Sequence, residues 1–140
     1  MSTQRQRRSD GERTYQAIVR ASAELATTEG LHGLSIARLA DHVGISKSGL
    51  YAHFRSKEEL QLATIAAATD IFEREVVKPT EDDRSARGRL DALCERFLSH
   101  VERRVFPGGC FFAAAVAELD THTGQVRDAV ARFMVGWMDR

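Results

Sequence analysis

The sequence predicts an all-α protein in which short turns separate successive helices. Apolar residues recur at the three- and four-residue spacing of a buried helix face along most of the 140 residues. Serines stand where helices would begin, and glycines or prolines stand where they would end. Three such helix starts fall within residues 34–59, and the rest of the chain is organised around them.

The first helix is predicted over residues 12–28, with Ile18, Leu25 and Ala26 on one face. Gly30 follows it at the position of a left-handed C-terminal cap.

The residues before this helix, 1–11, are polar and carry Arg5, Arg7 and Arg8 close together. Two interpretations stay open. Chain ends often fray, which favours a disordered leader. Basic N-terminal arms can also contact phosphates or the minor groove of DNA.

A pair of short helices joined by a tight turn is predicted next. Ser35 is the expected N-cap of the first, and Gly44 ends it. Its buried face has four apolar residues at helical spacing: Ile36, Leu39, Ala40 and Val43. Ser46 begins the second helix, two to three turns long, with Leu50 and Phe54 facing inward.

The outward face of the second helix is polar and basic, with Lys47, Ser48, Tyr51 and Arg55, and with His53 at its side. A short helix with such a face suits the DNA major groove, where it meets base edges and phosphates.

A third helix opens with the capping box from Ser56 to Glu59 and continues from Lys57 to about Val77. Pro79 ends it, because proline cannot continue a helix. Residues 78–85 are predicted to form a loop whose acidic run is a solvated surface.

These segments resemble the DNA-binding domain of TetR-type transcriptional regulators over residues 12–72, less than half of the chain. The resemblance rests on LSIARLA from Leu34, VGIS from Val43, LYAHF from Leu50 and SKEEL from Ser56. It implies a helix-turn-helix motif at about residues 35–54 in a three-helix head. Residues 73–140 would form a helical regulatory and dimerisation body, incomplete relative to the family. The resemblance also implies a regulator and not an enzyme.

The candidate DNA contacts are Ser35, Arg38, Ser46, Lys47, Ser48, Gly49, Tyr51, His53 and Lys57. The resemblance implies phosphate or base contacts for Tyr51 and His53, and a phosphate contact for Lys57. Lysine can donate to guanine and serine tolerates several bases, so Lys47 and Ser48 are the candidates for reading sequence. Gly49 lacks a side chain for base readout but allows close approach of the backbone.

Three helices are predicted in the body, at residues 86–105, 110–119 and 124–140. The first has the cleanest amphipathic stripe: Leu90, Leu93, Cys94, Phe97, Leu98, Val101 and Val105. The last has a stripe of Val126, Val130, Phe133, Met134, Trp137 and Met138.

The resemblance implies a repressor that binds a double-stranded DNA operator as a homodimer and is released by a small-molecule effector in the body. The candidate pocket residues are Phe72, Phe97, Phe111, Phe112, Phe133, Met134 and Trp137. Aromatic residues at helical spacing also fit a plain core.

Composition adds weaker constraints. Lys and Arg number nine against seven Asp and Glu in residues 1–60, and eleven against thirteen in residues 61–140, for a formal net charge of zero. This skew has the sign expected of a DNA-facing head. No signal peptide is evident, and the longest apolar run, residues 110–117, is too short to span a bilayer. A cytoplasmic protein without a membrane partner, cofactor or metal is expected.

The alternative function is a thiol-based redox regulator that uses Cys94 and Cys110. Both cysteines fall on apolar faces, which predicts buried, inert thiols. A cysteine hydrolase using Cys110 with His100 or His122 has no catalytic signature around either cysteine.

Overall fold

The computed structural model describes residues 2–82 and 85–140, which form seven α-helices and no strand. The helices are α1 (Ser2–Glu29), α2 (Ile36–Val43), α3 (Lys47–Tyr51), α4 (Lys57–Phe72), α5 (Ala86–Glu102), α6 (Phe111–Leu119) and α7 (Gln125–Met138). The predicted all-α class is confirmed.

Helix α1 begins at Ser2, so the predicted disordered leader is wrong for residues 2–11. Met1 lies outside the described residues. Polar pairs one turn apart support this part of the helix: Gln6 Nε2 donates to Asp10 Oδ1 at 3.2 Å, and Arg13 forms an ion pair with the same carboxylate. Residues 3–10 therefore lack apolar periodicity because they form a solvent-exposed part of the helix, and not because they are unstructured.

Two apolar clusters share α1 and α4. The head cluster contains Ile18 and Val19 of α1 with Leu39, Leu50 and Phe54 of the motif. The body cluster contains residues from later on both shared helices, among them Ala23, Ala26, Ile65, Ala68 and Phe72. Since the same two rigid helices cross both clusters, the head and the body are joined by packed structure.

The helical path after α4 is longer than predicted. A π-helical turn covers Glu73–Val77, and a 3-10 turn covers Lys78–Thr80, so residues 78–80 are not the expected loop. Pro79 fits this tighter turn, and the Thr80 side chain is buried with its hydroxyl donating to Val77 O at 2.7 Å. Of the acidic run, Glu81 and Asp82 are exposed, and Asp83 lies outside the described residues.

Helix α5 ends at Glu102, three residues before its predicted end, and much of its apolar stripe is uncovered. Leu93 and Phe97 pack against the body cluster. Leu90 and Leu98 are 61% and 58% exposed. The stripe is wider than the contact that α5 makes, which amphipathicity alone does not reveal.

Candidate nucleic-acid interface

Capping bonds at both ends of α2 define how the chain turns from α2 into α3. Ser35 Oγ accepts from Arg38 N at 3.3 Å at the start of α2. At its end Gly44 adopts φ +79°, and the amides of Gly44 and Ile45 both donate to Ala40 O, at 2.9 and 3.0 Å. A residue with a side chain would be strained at this φ, so Gly44 sets the angle at which the chain enters α3.

Helix α3 is shorter than the predicted two to three turns and spans only Lys47–Tyr51. Ser46 caps it by accepting from Gly49 N at 3.0 Å, and its hydroxyl also lies 3.1 Å from that of Ser48. Leu50 and Phe54 are buried as expected, although Phe54 follows the helix end. These two anchors hold a single exposed turn against the head.

The predicted outward side chains are at the surface. Ser46, Lys47 and Ser48 are exposed, and Tyr51 is 49% exposed although it is aromatic. Exposed Lys57 is the first residue of α4. Within twelve residues the chain thus presents two ammonium groups and several hydroxyls, a set that can donate to phosphates and base edges.

Four other candidates are more constrained. The Ser35 hydroxyl is used in the cap, and Arg38 Nη1 pairs with Glu29 Oε1 at 2.6 Å. A Cβ on Gly49 would lie 3.2 Å from Ser46 Oγ, so this glycine leaves room for the cap serine. His53 is half-buried, with its ring 6.4 Å from the Tyr15 ring.

The start of α4 is also fixed by side-chain bonds. Ser56 Oγ accepts from Glu59 N at 3.1 Å, as the capping box predicts. Glu59 Oε2 accepts from Arg55 N at 3.1 Å, one residue before the expected partner. This bond orders the link between α3 and α4, so it helps to fix the position of Tyr51 relative to Lys57.

The candidate pocket residues lie together around Phe72. Its ring lies 4.9 Å from Trp137, 5.3 Å from Phe133, 6.0 Å from Phe112 and 6.3 Å from Phe97. Phe112 and Phe133 stack at 3.4 Å, and Phe111 lies against Phe112 at 5.1 Å. Met134 packs at the edge of the cluster and lines a groove of about 230 Å³ between α6 and α7. The rings fill one another's space, so a ligand at this point has to separate them.

His100 belongs to the same cluster, although the sequence did not mark it as a pocket residue. It is 1% exposed, its ring lies 5.9 Å from Phe72 and 5.8 Å from Phe106, and neither ring nitrogen has a hydrogen-bond partner among the described residues. Burial lowers the pKa of His100 below its ordinary value, and the nearby Glu75 carboxylate opposes this shift only in part. The spacing 93, 97, 100 on α5 is the signal that could have found it, since it places the histidine on the inward face.

Glu118, which the sequence shows only as the polar end of an apolar helix, bonds α6 to the loop before α2. Its carboxylate accepts from the backbone amides of Leu31 and His32, at 2.7 and 2.8 Å, in the loop before α2. Gln61 Nε2 donates to Leu31 O at 2.9 Å from α4. Two amides that no helix satisfies are thus bonded to a charged acceptor from a distant part of the chain.

The thiols differ from the prediction. Both cysteines are free; Cys94 is exposed because the outer face of α5 is uncovered, and Cys110 is half-buried. The expected burial of Cys94 is therefore wrong. Within residues 2–82 and 85–140, no three His, Cys, Asp or Glu side chains are grouped to hold a metal ion, and no helix is long and apolar enough to cross a membrane.

Comparison with known proteins agrees with this geometry. Residues 18–64 match the family model described as bacterial regulatory proteins of the tetR family. Residues 86–140 match the tetracyclin repressor-like C-terminal domain. A curated relative, the HTH-type transcriptional activator FasR of Mycolicibacterium smegmatis, is 36% identical over 94 residues, covering 65% of this chain and 41% of FasR. The chain therefore spans less than half the length of this relative.

Solved structures extend the similarity to both parts of the fold. A TetR transcriptional regulator from Chloroflexus aurantiacus superposes with a TM-score of 0.84 at 26% identity, over 93% of this chain and 66% of that one. AibR in complex with isovaleryl coenzyme A and operator DNA superposes with a TM-score of 0.74 at 27% identity, over 90% of this chain and 66% of AibR. With matching family models in the head and in the body, the chain belongs to the TetR family of DNA-binding transcriptional regulators.

Proposed function

We propose that this regulator is a repressor that binds an operator as a homodimer and leaves it when a small molecule enters the body. The observation that carries the proposal is the bonding of Glu118 to the amides of Leu31 and His32, since it ties a body helix to the loop before α2. AibR, whose structure contains both isovaleryl coenzyme A and operator DNA, supports a regulator of this kind.

On the DNA side, Lys47 and Ser48 read base edges from the exposed turn of α3. Tyr51, His53 and Lys57 contact phosphates and fix the register. Ser46 and Gly49 let the start of α3 approach the groove closely, because Gly49 has no side chain and the Ser46 hydroxyl is bonded to the Gly49 amide.

Ser35 and Arg38 act at the start of α2. Ser35 offers a helix start to a phosphate. Arg38 reaches a phosphate by exchanging its ion pair with Glu29, and its largely exposed side chain leaves it free to do so.

On the ligand side, α6 transmits the signal. Phe112 lies near the start of this nine-residue helix and Glu118 near its end. A ligand that separates Phe112 from Phe133 displaces α6, and the carboxylate of Glu118 moves with it. An apolar molecule with one polar group suits the site, because the rings supply the apolar walls and His100 supplies ring nitrogens without a partner among the described residues.

The first experiment is a salt titration of binding to a duplex from the promoter region of the chain's own gene, against a scrambled duplex, with the mass in solution recorded. A selective dimer is expected, with half-sites about 34 Å or a multiple apart. Lys47→Ala should reduce the preference for the promoter duplex by about 1–3 kcal/mol. Lys57→Ala should weaken binding to both duplexes equally and reduce the slope of log affinity against log salt. Equal affinity of the unsubstituted chain for both duplexes contradicts the operator proposal.

Transcription from the same promoter, with and without the chain, decides the direction of regulation. A repressor lowers the transcript level at protein concentrations that occupy the operator. FasR is named an activator, so a raised level is the outcome that would replace repression by activation.

A further inference from the structure

We propose that residues 2–11 of α1 form a rigid basic arm that binds DNA phosphates outside the segment contacted by α3. The proposal rests on DNA binding by the head and adds to it a second contact surface. The three arginines that carry it are Arg5, Arg7 and Arg8.

The contacts of α1 set the direction of the arm. Toward its C-terminal end, α1 packs on the body: Arg20 Nη2 donates to Val105 O at 2.9 Å, and Thr27 Oγ1 accepts from Gly108 N at 3.0 Å. Toward its N-terminal end, Tyr15 stacks on Phe54 at 5.1 Å and meets the edge of His53 at 6.4 Å. Beyond Tyr15 the helix therefore runs away from the body and past the end of the α3 segment.

The helix phase places the arginines on the matching side. Gln4, Arg8 and Gly11 precede Tyr15 at intervals of four, three and four residues, so they share its face. Arg8 lies about 10 Å before Tyr15 at the rise of an α-helix. Arg5 and Arg7 flank this face at about 80° on either side. One cation, Arg8, thus continues the face that meets His53, and Arg5 and Arg7 lie on its two flanks.

The three arginines of the arm are exposed and have no ion-pair partner among the described residues. Residues 3–10 are all exposed, and no ion pair to Arg5, Arg7 or Arg8 occurs within residues 2–82 and 85–140. The neighbouring Arg13 differs, because it is paired with Asp10. The backbone of an arginine on a preformed helix is already ordered, so binding a phosphate there costs only side-chain freedom.

The composition of the arm selects DNA over other anionic partners. Residues 2–11 contain no large apolar side chain. A membrane-surface helix needs an apolar face to insert, and a protein interface is usually centred on buried apolar or aromatic anchors. Phosphate binding needs neither, since it is driven by charge and counterion release.

The test compares the chain with the variant Arg5→Ala/Arg7→Ala/Arg8→Ala. Alanine keeps the helix, which circular dichroism verifies. The slope of log affinity against log salt should fall by about 0.9 for each phosphate that the arm no longer neutralises. That corresponds to an affinity about fivefold weaker per phosphate at 0.15 M salt, equal for the promoter and scrambled duplexes.

Two variants control the interpretation. Arg87→Ala/Arg96→Ala/Arg132→Ala removes the same charge from exposed positions on α5 and α7, and should keep the original slope. Arg5→Lys/Arg7→Lys/Arg8→Lys retains the charge and should recover most of the slope. An equal fall in slope for both alanine variants would show a net-charge effect and overturn the arm.

Duplex length gives an independent check. On duplexes trimmed from both ends toward the α3 contacts, the difference between the chain and the arm variant should disappear, because the flanking phosphates are gone. An arm variant that binds a long duplex with the original slope overturns the arm while leaving the proposed function intact. Failure of the unsubstituted chain to bind any duplex overturns both.

Discussion

In the head, serine side chains cap the starts of α2, α3 and α4, with bonds of 3.3, 3.0 and 3.1 Å to backbone amides. In the body, Ser85 caps α5 in the same way at 2.9 Å, but the residues at the N-cap positions of α6 and α7, Cys110 and Gly124, make no side-chain capping bond. The head is therefore specified by signals a few residues apart, whereas α6 and α7 depend on the packing of their aromatic side chains.

The exposed apolar surface differs in the same sense. Among the described residues of the head, the large exposed hydrophobic side chain is Tyr51, which has a polar tip. The body exposes Leu90, Leu98, Val135 and Met138, of which Met138 is 71% exposed. The head thus covers its apolar core almost completely, whereas the body leaves apolar surface exposed. Substitutions in the two parts should therefore differ in their effect on the free energy of unfolding.

The largest expected effect is at Phe54. Phe54→Ala removes a ring that is 1% exposed from a small core, and should lower the free energy of unfolding by about 3–5 kcal/mol. Half-buried Phe97 in the body is the matched site, and Phe97→Ala should cost less because its surroundings can relax. Denaturant unfolding followed by circular dichroism measures both. Equal losses would mean that the head is no more tightly closed than the body.

The next effect is at the junction between the parts. Glu118→Ala leaves the amides of Leu31 and His32 without their acceptor and should cost about 2–3 kcal/mol. Glu118→Gln keeps one acceptor oxygen and should cost less. Asp120→Ala, at an exposed position just after α6, is the control and should be close to neutral. A neutral Glu118→Ala would show that the head and the body are not coupled at this point.

A smaller, pH-dependent effect is expected from His100. Burial lowers its pKa in the folded state, so below about pH 6.5 the unfolded chain binds a proton that the folded chain does not. Stability should fall as the pH drops from about 6.5 toward the folded-state pKa, by up to about 1.4 kcal/mol per pH unit. Thermal unfolding from about pH 8 to about pH 5, a range that brackets the ordinary histidine pKa, follows this decrease.

His100→Leu should remove this slope, and His42→Gln, at an exposed position on α2, should leave it. The pKa of Glu75 is lowered by its hydrogen bond from Arg103, so its contribution is lost only below its ordinary value of 4.5, outside the His100 window. An unchanged slope in His100→Leu would assign the pH dependence to another group.

The smallest effect is expected on the outer face of α5. Leu98→Gln replaces a side chain that is 58% exposed, and should change the free energy of unfolding by no more than about 0.5 kcal/mol. The same unfolding assay measures it at two protein concentrations. A decrease above about 1 kcal/mol that grows with concentration would show that association covers this face.

Local signals predicted the head closely. The caps Ser35, Ser46 and Ser56 and the left-handed Gly44 appear where the residue types placed them. The length of α3 and the helical state of residues 2–11 were predicted wrongly. The first depends on where Phe54 packs, and the second on polar pairs that carry no apolar period.

In the body, periodicity located α5, α6 and α7 but not their contacts. It placed Phe72 and the other large side chains on inward faces, and the structure brings them into one cluster. It also placed Leu90 and Leu98 on a stripe that the fold leaves exposed. An amphipathic pattern states which face of a helix is apolar but does not state how much of that face a neighbour covers.

The sequence by itself determined the class of the fold, the family and the positions of most helix starts, because capping, glycine conformation and helix periodicity act within a few residues. Only the tertiary structure decided that Glu118 bonds to the loop before α2, that His100 is buried without a hydrogen-bond partner among the described residues, and that α1 extends past His53 as an exposed basic helix. The first two features and the position of α1 beside His53 join residues far apart in the chain, and how the helices pack brings those residues together. The helical state of residues 2–11 rests instead on polar pairs one turn apart.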